Sequence, residues 1–288
     1  MPNLYPGTRS QRDCAANRFP EGVEPMRVLI CTDLEGISGV CVWEQTREMT
    51  SELYQDARRL LMGDVAAAIE GCREGGAEEI VVADGHGGGF NFIPEMMHPG
   101  ARYYTGRARP RMSEYISRFE GFDAAILLGY HAMAGTPDGM LRHTQSSRAG
   151  NRYWYNGRES GEIAQSALVY GSVGIPVVMV SGDTAACREA REFLGEAVVT
   201  VAVKEGLGEQ CGVLVPPLAA HTLLREGARE AMARVEQCRP FVMETPIQGC
   251  LRFPDKSTAD GFQPRRSTRV DDYTFEAVFE DARFIHEF

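Results

Sequence analysis

The sequence predicts an α/β fold, with three layers built around a mainly parallel sheet and a second, smaller α+β portion. Three observations lead there. Short runs of branched apolar residues recur along the chain, amphipathic stretches of helical period separate them, and the runs end in polar or glycine-rich residues. Open sheets of this class gather their ligands in the crevice beyond the strand C-termini, so those run ends are where function is sought.

The first run, Arg27-Val28-Leu29-Ile30-Cys31, stops at Thr32-Asp33, as a buried parallel strand would. A helix is expected from about Ser51, where Leu53, Ala57, Leu60, Leu61, Val65 and Ala68 keep a helical period, until Gly75-Gly76 ends it. Glu79 to Ala83 is the second strand, leading into Asp84-Gly85-His86-Gly87-Gly88-Gly89. A third, Ala124 to Leu128, leads into Gly129-Tyr130-His131, and a fourth, Val177 to Val180, into Ser181-Gly182-Asp183. A helix is expected over Ser160 to Tyr170. Beyond about residue 195 the pattern changes to an apolar stretch at Val198 to Val203, a helix over Ala219 to Gln237 and a strand at Thr274 to Phe279. The expected division is therefore a flexible N-terminal arm (1–25), an α/β domain holding the candidate metal-binding and catalytic residues (26–195), and a smaller α+β domain (196–288).

Composition narrows the function. The net charge of -10 argues against a nucleic-acid or anionic-membrane surface, while 43% hydrophobic and 24% charged residues are ordinary for a globular chain. The eight cysteines form no Cys-x-x-Cys pair, so they read as reduced thiols rather than a zinc ribbon or redox motif. No stretch approaches the roughly 20 apolar residues of a membrane span, and the N-terminus lacks a signal-peptide core. The expectation is a cytoplasmic protein with no membrane and no nucleic-acid partner.

Asp33 and Glu35 lie two apart, so an extended segment places both carboxylates on one face as neighbouring oxygen ligands. Helix capping explains such a pair equally well. His86 stands among glycines that leave its imidazole unscreened, the plain alternative being a surface turn; GxGxxG fails because Phe90 takes the last glycine position. His131 follows a strand, and His143 lies twelve residues on, past a Gly-Thr-Pro-Asp-Gly turn. Each of these two, taken alone, is as readily a structural histidine. Glu162 opens a helix, where a carboxylate also stabilises the N-terminus. Together, carboxylates and imidazoles at the ends of separate elements suit zinc, manganese or iron better than calcium or magnesium, with zinc the default. Two ions ~3.5–4 Å apart need a bridging carboxylate, for which Asp33 is the natural choice.

These segments resemble the D-aminopeptidase family of zinc peptidases, the DppA type associated with bacterial dipeptide-transport operons. The match runs in order through Asp33-x-Glu-Gly-Ile-Ser-Gly39, Asp84-x-His86, Leu128-Gly-Tyr-His-Ala132, Thr136-Pro137 before His143, Gly161-Glu162, and Pro176-Val-x-Met-Val-x-Gly-Asp183. It is strong over residues 26–206. The resemblance implies two zinc ions per chain bridged by Asp33, one completed by Glu35 and His131 and the other by His86 and Glu162. His143 would be the catalytic residue, shuttling a proton to the leaving amine or acting as nucleophile. The implied activity is removal of an N-terminal, typically D-configured, residue from a short peptide or aminoacyl amide, within a ring-shaped homo-oligomer. The interval from His131 to His143 is one residue longer than in such a relative, an arginine expected after Lys204 is missing, and the long final helix is absent. An amidase or lactam hydrolase on the same metal centre is the nearest alternative, followed by a non-catalytic peptide-binding protein and then a phosphohydrolase.

Overall fold

A computed structural model describes residues 25–288; the expected arm at 1–25 lies, but for Pro25, outside the described residues. The architecture grows from β1 (Met26–Thr32), whose Val28 to Ile30 are fully buried because both of its faces are covered. Parallel neighbours flank it, β2 (Ala77–Asp84) on one side and β4 (Ala124–Leu128) on the other. Outward from β2 lies β3 (Arg102–Tyr104); outward from β4 lie β7 (Val177–Asp183), β8 (Val199–Gly208) and the antiparallel edge β9 (Cys211–Leu214).

Strand alternation sorts the core into two halves. Val28, Ile30, Ile80, Val82, Ile126 and Leu128 pack with α2 (Glu52–Glu74) and α6 (Pro217–Ala233). Ser51 caps α2 by accepting the Tyr54 N–H at 3.1 Å, and Gly76 leaves it at φ +98°. Leu29, Cys31, Val81, Ala83, Ala125 and Leu127 face the opposite side. There they meet α4 (Glu162–Gly171), with α5 (Thr184–Leu194) beside it, and a second sheet formed by β5 (Arg152–Tyr155), β6 (Arg158–Glu159), β10 (Ile247–Arg252), β11 (Thr268–Arg269) and β12 (Thr274–Phe279). Three short helices, α1 (Glu44–Arg47), α3 (Met112–Tyr115) and α7 (Lys256–Asp260), complete the frame. The result is the three-layer, mostly parallel α/β fold with a smaller antiparallel sheet.

The two sheets do not divide at residue 195. The segment Val199–Leu214 extends the main sheet, because α5 returns the chain beside β7 as a parallel crossover, and α6 then packs on α2. Conversely, the smaller sheet draws the β5–β6 hairpin from the N-terminal half. That hairpin turns at Asn156-Gly157, φ +48° and +78°, the left-handed pair that a two-residue hairpin requires. Tyr153 and Tyr155 then bury their rings against Phe288.

Candidate metal centre

Three parallel strands deliver the site from their C-terminal ends. Asp33 follows β1, His86 follows β2 by two residues and His131 follows β4 by three. The β1 and β4 loops touch backbone to backbone: the Asp33 N–H donates to Leu128 O at 2.8 Å and the Gly36 N–H to Gly129 O at 2.7 Å. Only glycine permits this approach, since a Cβ at Gly36 would overlap the Tyr130 carbonyl oxygen and one at Gly129, φ +77°, would come within 2.6 Å of Asp33 O. From β8, the buried ammonium of Lys204 donates to the carbonyls of Glu35 (2.5 Å), Ile37 (3.0 Å) and Val40 (2.5 Å). Burial pulls this amine down to about 8, so it stays protonated at neutral pH and all three of its N–H groups are engaged.

All six predicted site residues converge. The His86 Nδ1 lies 3.0 Å from Asp33 Oδ1 and 3.0 Å from Glu35 Oε2. The other Asp33 oxygen, Oδ2, is 3.3 Å from His131 Nε2, which is 3.5 Å from Glu162 Oε1. His143 Nε2 is 3.7 Å from that same Glu162 oxygen, and its ring stacks on His131 with centroids 3.9 Å apart. Two ligand triads result, Asp33/Glu35/His86 and His131/His143/Glu162, with the two oxygens of Asp33 facing one imidazole each. The closest contacts pair Glu35 with His86 and Glu162 with His131, a different division from the one the family resemblance implies.

Each imidazole has one nitrogen tied to a backbone carbonyl. His86 Nε2 meets Thr46 O at 2.9 Å, His131 Nδ1 meets Ala132 O at 3.0 Å, and His143 Nδ1 meets Leu141 O at 2.9 Å. A carbonyl only accepts, so those nitrogens carry the protons and the remaining nitrogen of each ring is turned toward the carboxylates. Metal-ligating histidines are oriented in this way. Glu35 Oε2 and His131 Nε2 are buried without any hydrogen bond, which a closed protein seldom tolerates unless a further group joins them. The donor set therefore fits a divalent transition metal.

The electrostatics agree. Burial pushes the Asp33 carboxyl up, but the His131 and His86 imidazoles beside it hold it well below the ordinary range. Burial pulls His86 and His131 down, yet Glu35 and Asp33 around the first, and Asp33 and Glu162 around the second, raise both well above the usual histidine value. The carboxylates thus favour positive charge at this spot. His143 moves the other way, lowered by burial and by the neighbouring His131 charge. It is bracketed by Leu141 (φ +51°) and Gln145 (φ +64°), two non-glycine residues in the left-handed region that cost about 1–2 kcal/mol each. Strain of this kind collects at functional sites. The Gln145 N–H donates to Glu162 Oε1 at 2.7 Å, so Glu162, in the first turn of α4, anchors the strained segment.

A cavity of about 300 Å³ opens over the cluster, its rim formed by Arg47, Ser147 and Arg148. Larger depressions, about 530 and 620 Å³, lie over the smaller sheet near Trp154 but adjoin no cluster of candidate ligands among the described residues. Sequence reasoning did not find Lys204, the Thr46 carbonyl or Trp43, whose ring meets that of His143 edge-on at 5.7 Å. The lysine that closes the apolar run Val201-Ala202-Val203 was the available signal for the first.

A family model described as D-aminopeptidase matches residues 26–288. The chain belongs to the D-aminopeptidase family. This member of the family is therefore an enzyme, a peptidase among the hydrolases. It is 33% identical over 222 residues to the D-aminopeptidase of Bacillus subtilis (strain 168), an alignment spanning 75% of this chain and 77% of that one. Its fold matches the solved structure of the Zn-dependent D-aminopeptidase DppA from Bacillus subtilis, a self-compartmentalizing protease. The TM-score is 0.80 at 26% identity, covering 90% of this chain and 93% of the other.

Proposed function

We propose that this D-aminopeptidase-family enzyme is a zinc aminopeptidase with a binuclear centre that removes an N-terminal, D-configured residue from short peptides. The observation that carries the proposal is the arrangement of His86 and His131: each is locked by a backbone carbonyl on one nitrogen and turns the other toward Asp33, whose two oxygens face opposite ways. Asp33, Glu35, His86, His131 and Glu162 would hold the ions. Either division of the four outer ligands leaves Asp33 as the shared one. Zinc, when bound, supplies Lewis acidity toward the scissile carbonyl and activates water at neutral pH.

The chain's own residues do the rest. His143 is the proton carrier: its Nδ1 is fixed on Leu141 O, its Nε2 faces the cluster beside Glu162, and burial favours its uncharged form, able to take a proton and pass it to the leaving amine. Arg47, whose guanidinium lies 3.5 Å from the Trp43 ring centroid, lines this side of the cavity, and the Trp43 ring backs His143 edge-on. A ring-shaped homo-oligomer is supported by the apolar side chains that Leu207, Val213, Leu214 and Leu218 leave exposed around the β8–β9 edge, surface that a neighbouring subunit would cover. A cytoplasmic setting is supported by the seven described cysteines, all unpaired. No helix among the described residues is long and apolar enough to cross a membrane.

The test is metal analysis combined with turnover. Purified protein should hold about two zinc ions per chain, release the D-residue from a D-aminoacyl peptide, and stop when a chelator is added. Protein that takes up no stoichiometric zinc or manganese overturns the reading.

A further inference from the structure

A second cavity, of about 310 Å³, adjoins the metal centre and shares Gly85, Gly87, Gln145 and Glu162 with it. Its far walls are Tyr115, Tyr130, Arg107, Arg109 and His286. Several arginines of this protein meet a carboxylate, as Arg152 does Glu159, Arg188 does Asp138 and Arg283 does Asp281. Arg107 and Arg109 have no such partner among the described residues. Among the described residues the Arg107 guanidinium meets Met49 Sδ and the ring of Phe90. That of Arg109 lies over Gly89, where a Cβ would come within 3.0 Å of Cζ and Nε. Asp84, which also borders the cavity, has its carboxylate occupied by the Asn91 N–H, the Asn91 side-chain amide and Thr105 Oγ1. The Nε2 of His286, carried in by the C-terminal segment, is buried with no hydrogen-bond partner.

The geometry points to this cavity as the subsite for the leaving part of the substrate, with Arg109, assisted by Arg107 and His286, binding a free C-terminal carboxylate. The inference rests on the zinc-peptidase reading. With the scissile bond at the cluster, a leaving group of one or two residues fills the adjoining volume, which sits at the small end of ligand pockets (~300–1,000 Å³). A guanidinium without an internal counter-ion then meets a planar carboxylate, the pairing that its fork of N–H donors matches. A substrate ending in an amide, and a lactam, present no such charge. The enzyme is thereby a peptidase of short free-acid peptides rather than an amidase.

D-alanylglycine and D-alanylglycinamide differ only in that carboxylate. Their binding to the zinc-loaded protein, slowed by His143→Ala so that neither is consumed, can be measured by calorimetry with and without Arg109→Gln. The free acid should bind about 10-fold or more tightly than the amide, and Arg109→Gln should erase the difference by weakening the free acid alone. Equal binding of the two peptides, or an equal loss of both in Arg109→Gln, overturns the assignment. Turnover by the unmodified zinc enzyme judges the peptidase reading separately, since the binding comparison is decided whether or not either peptide is cleaved.

Discussion

The turn that carries Asp33 and Glu35 and the segment that carries His143 are built on opposite terms. The first is clamped in place by two backbone hydrogen bonds to the β4 loop, glycines that let the backbones touch, and the Lys204 ammonium spending all three donors on its carbonyls. The second lies in a long connection and holds its histidine between two left-handed residues, with a side-chain carboxylate as its anchor. The contrast teaches a division of labour. On the proposed reading, the ligands would gain from positions that exist before metal arrives, whereas the proton carrier would reach over the cluster on a strained segment to which Glu162 and Leu141 are hydrogen-bonded.

Substitution in each region tests that division, and the largest effect belongs to the clamped turn. Asp33→Ala should abolish stoichiometric zinc and, with it, turnover, as read by elemental analysis of the purified variant. His143→Ala should retain zinc while kcat falls by about 10²- to 10⁴-fold. If both variants lost metal together, the two regions would not be separate. Lys204→Met, which leaves three buried carbonyls without their donor, should weaken zinc affinity by about 10- to 100-fold and lower the stability of the apo protein by about 2–4 kcal/mol in urea unfolding. Unchanged affinity would mean that the turn keeps its shape without the clamp.

The smallest effect concerns pH. Glu189 on α5 accepts the Met133 N–H at 2.7 Å, tying the start of the His143 segment to the frame, and burial pushes its carboxyl up to about 7. Below about pH 4.5 both folded and unfolded states hold the proton and the group is neutral to stability. Between there and about pH 7 the unfolded state loses its proton first, so stability falls as pH rises and the deficit persists above. Glu189→Gln keeps an acceptor for Met133 and carries no charge. Its stability relative to the parent should rise by about 1–3 kcal/mol from pH 4.5 to 8, measured by thermal or urea unfolding. A constant difference would show that the carboxyl ionises without cost.

Much of the site was legible along the chain because the strands are. Buried parallel strands read as continuous apolar runs, so Asp33, His86 and His131 could be placed beyond β1, β2 and β4 from the sequence, and the α2 boundaries followed from Ser51 and Gly75-Gly76. The helix over Ser160 to Tyr170 lies close to the observed α4. The β5–β6 hairpin was also written in the chain, as Tyr153-Trp154-Tyr155-Asn156-Gly157, but its membership in the smaller sheet was not, since pairing with β10 joins residues nearly a hundred positions apart. The same limit put the boundary at 195. An apolar stretch at 198–203 does not say which sheet it will join.

The sequence by itself determined the α/β class, the family and the candidate ligands at the strand ends, because side-chain period and short motifs are local properties of the chain. Only the tertiary structure decided how those residues face one another. Which nitrogen of His86 points inward depends on a carbonyl 40 residues away at Thr46, and the shape of the Asp33–Glu35 turn depends on a lysine 169 residues from Glu35. Partners so distant are chosen by the packing of whole layers, which buries a polar group and then requires that it be satisfied.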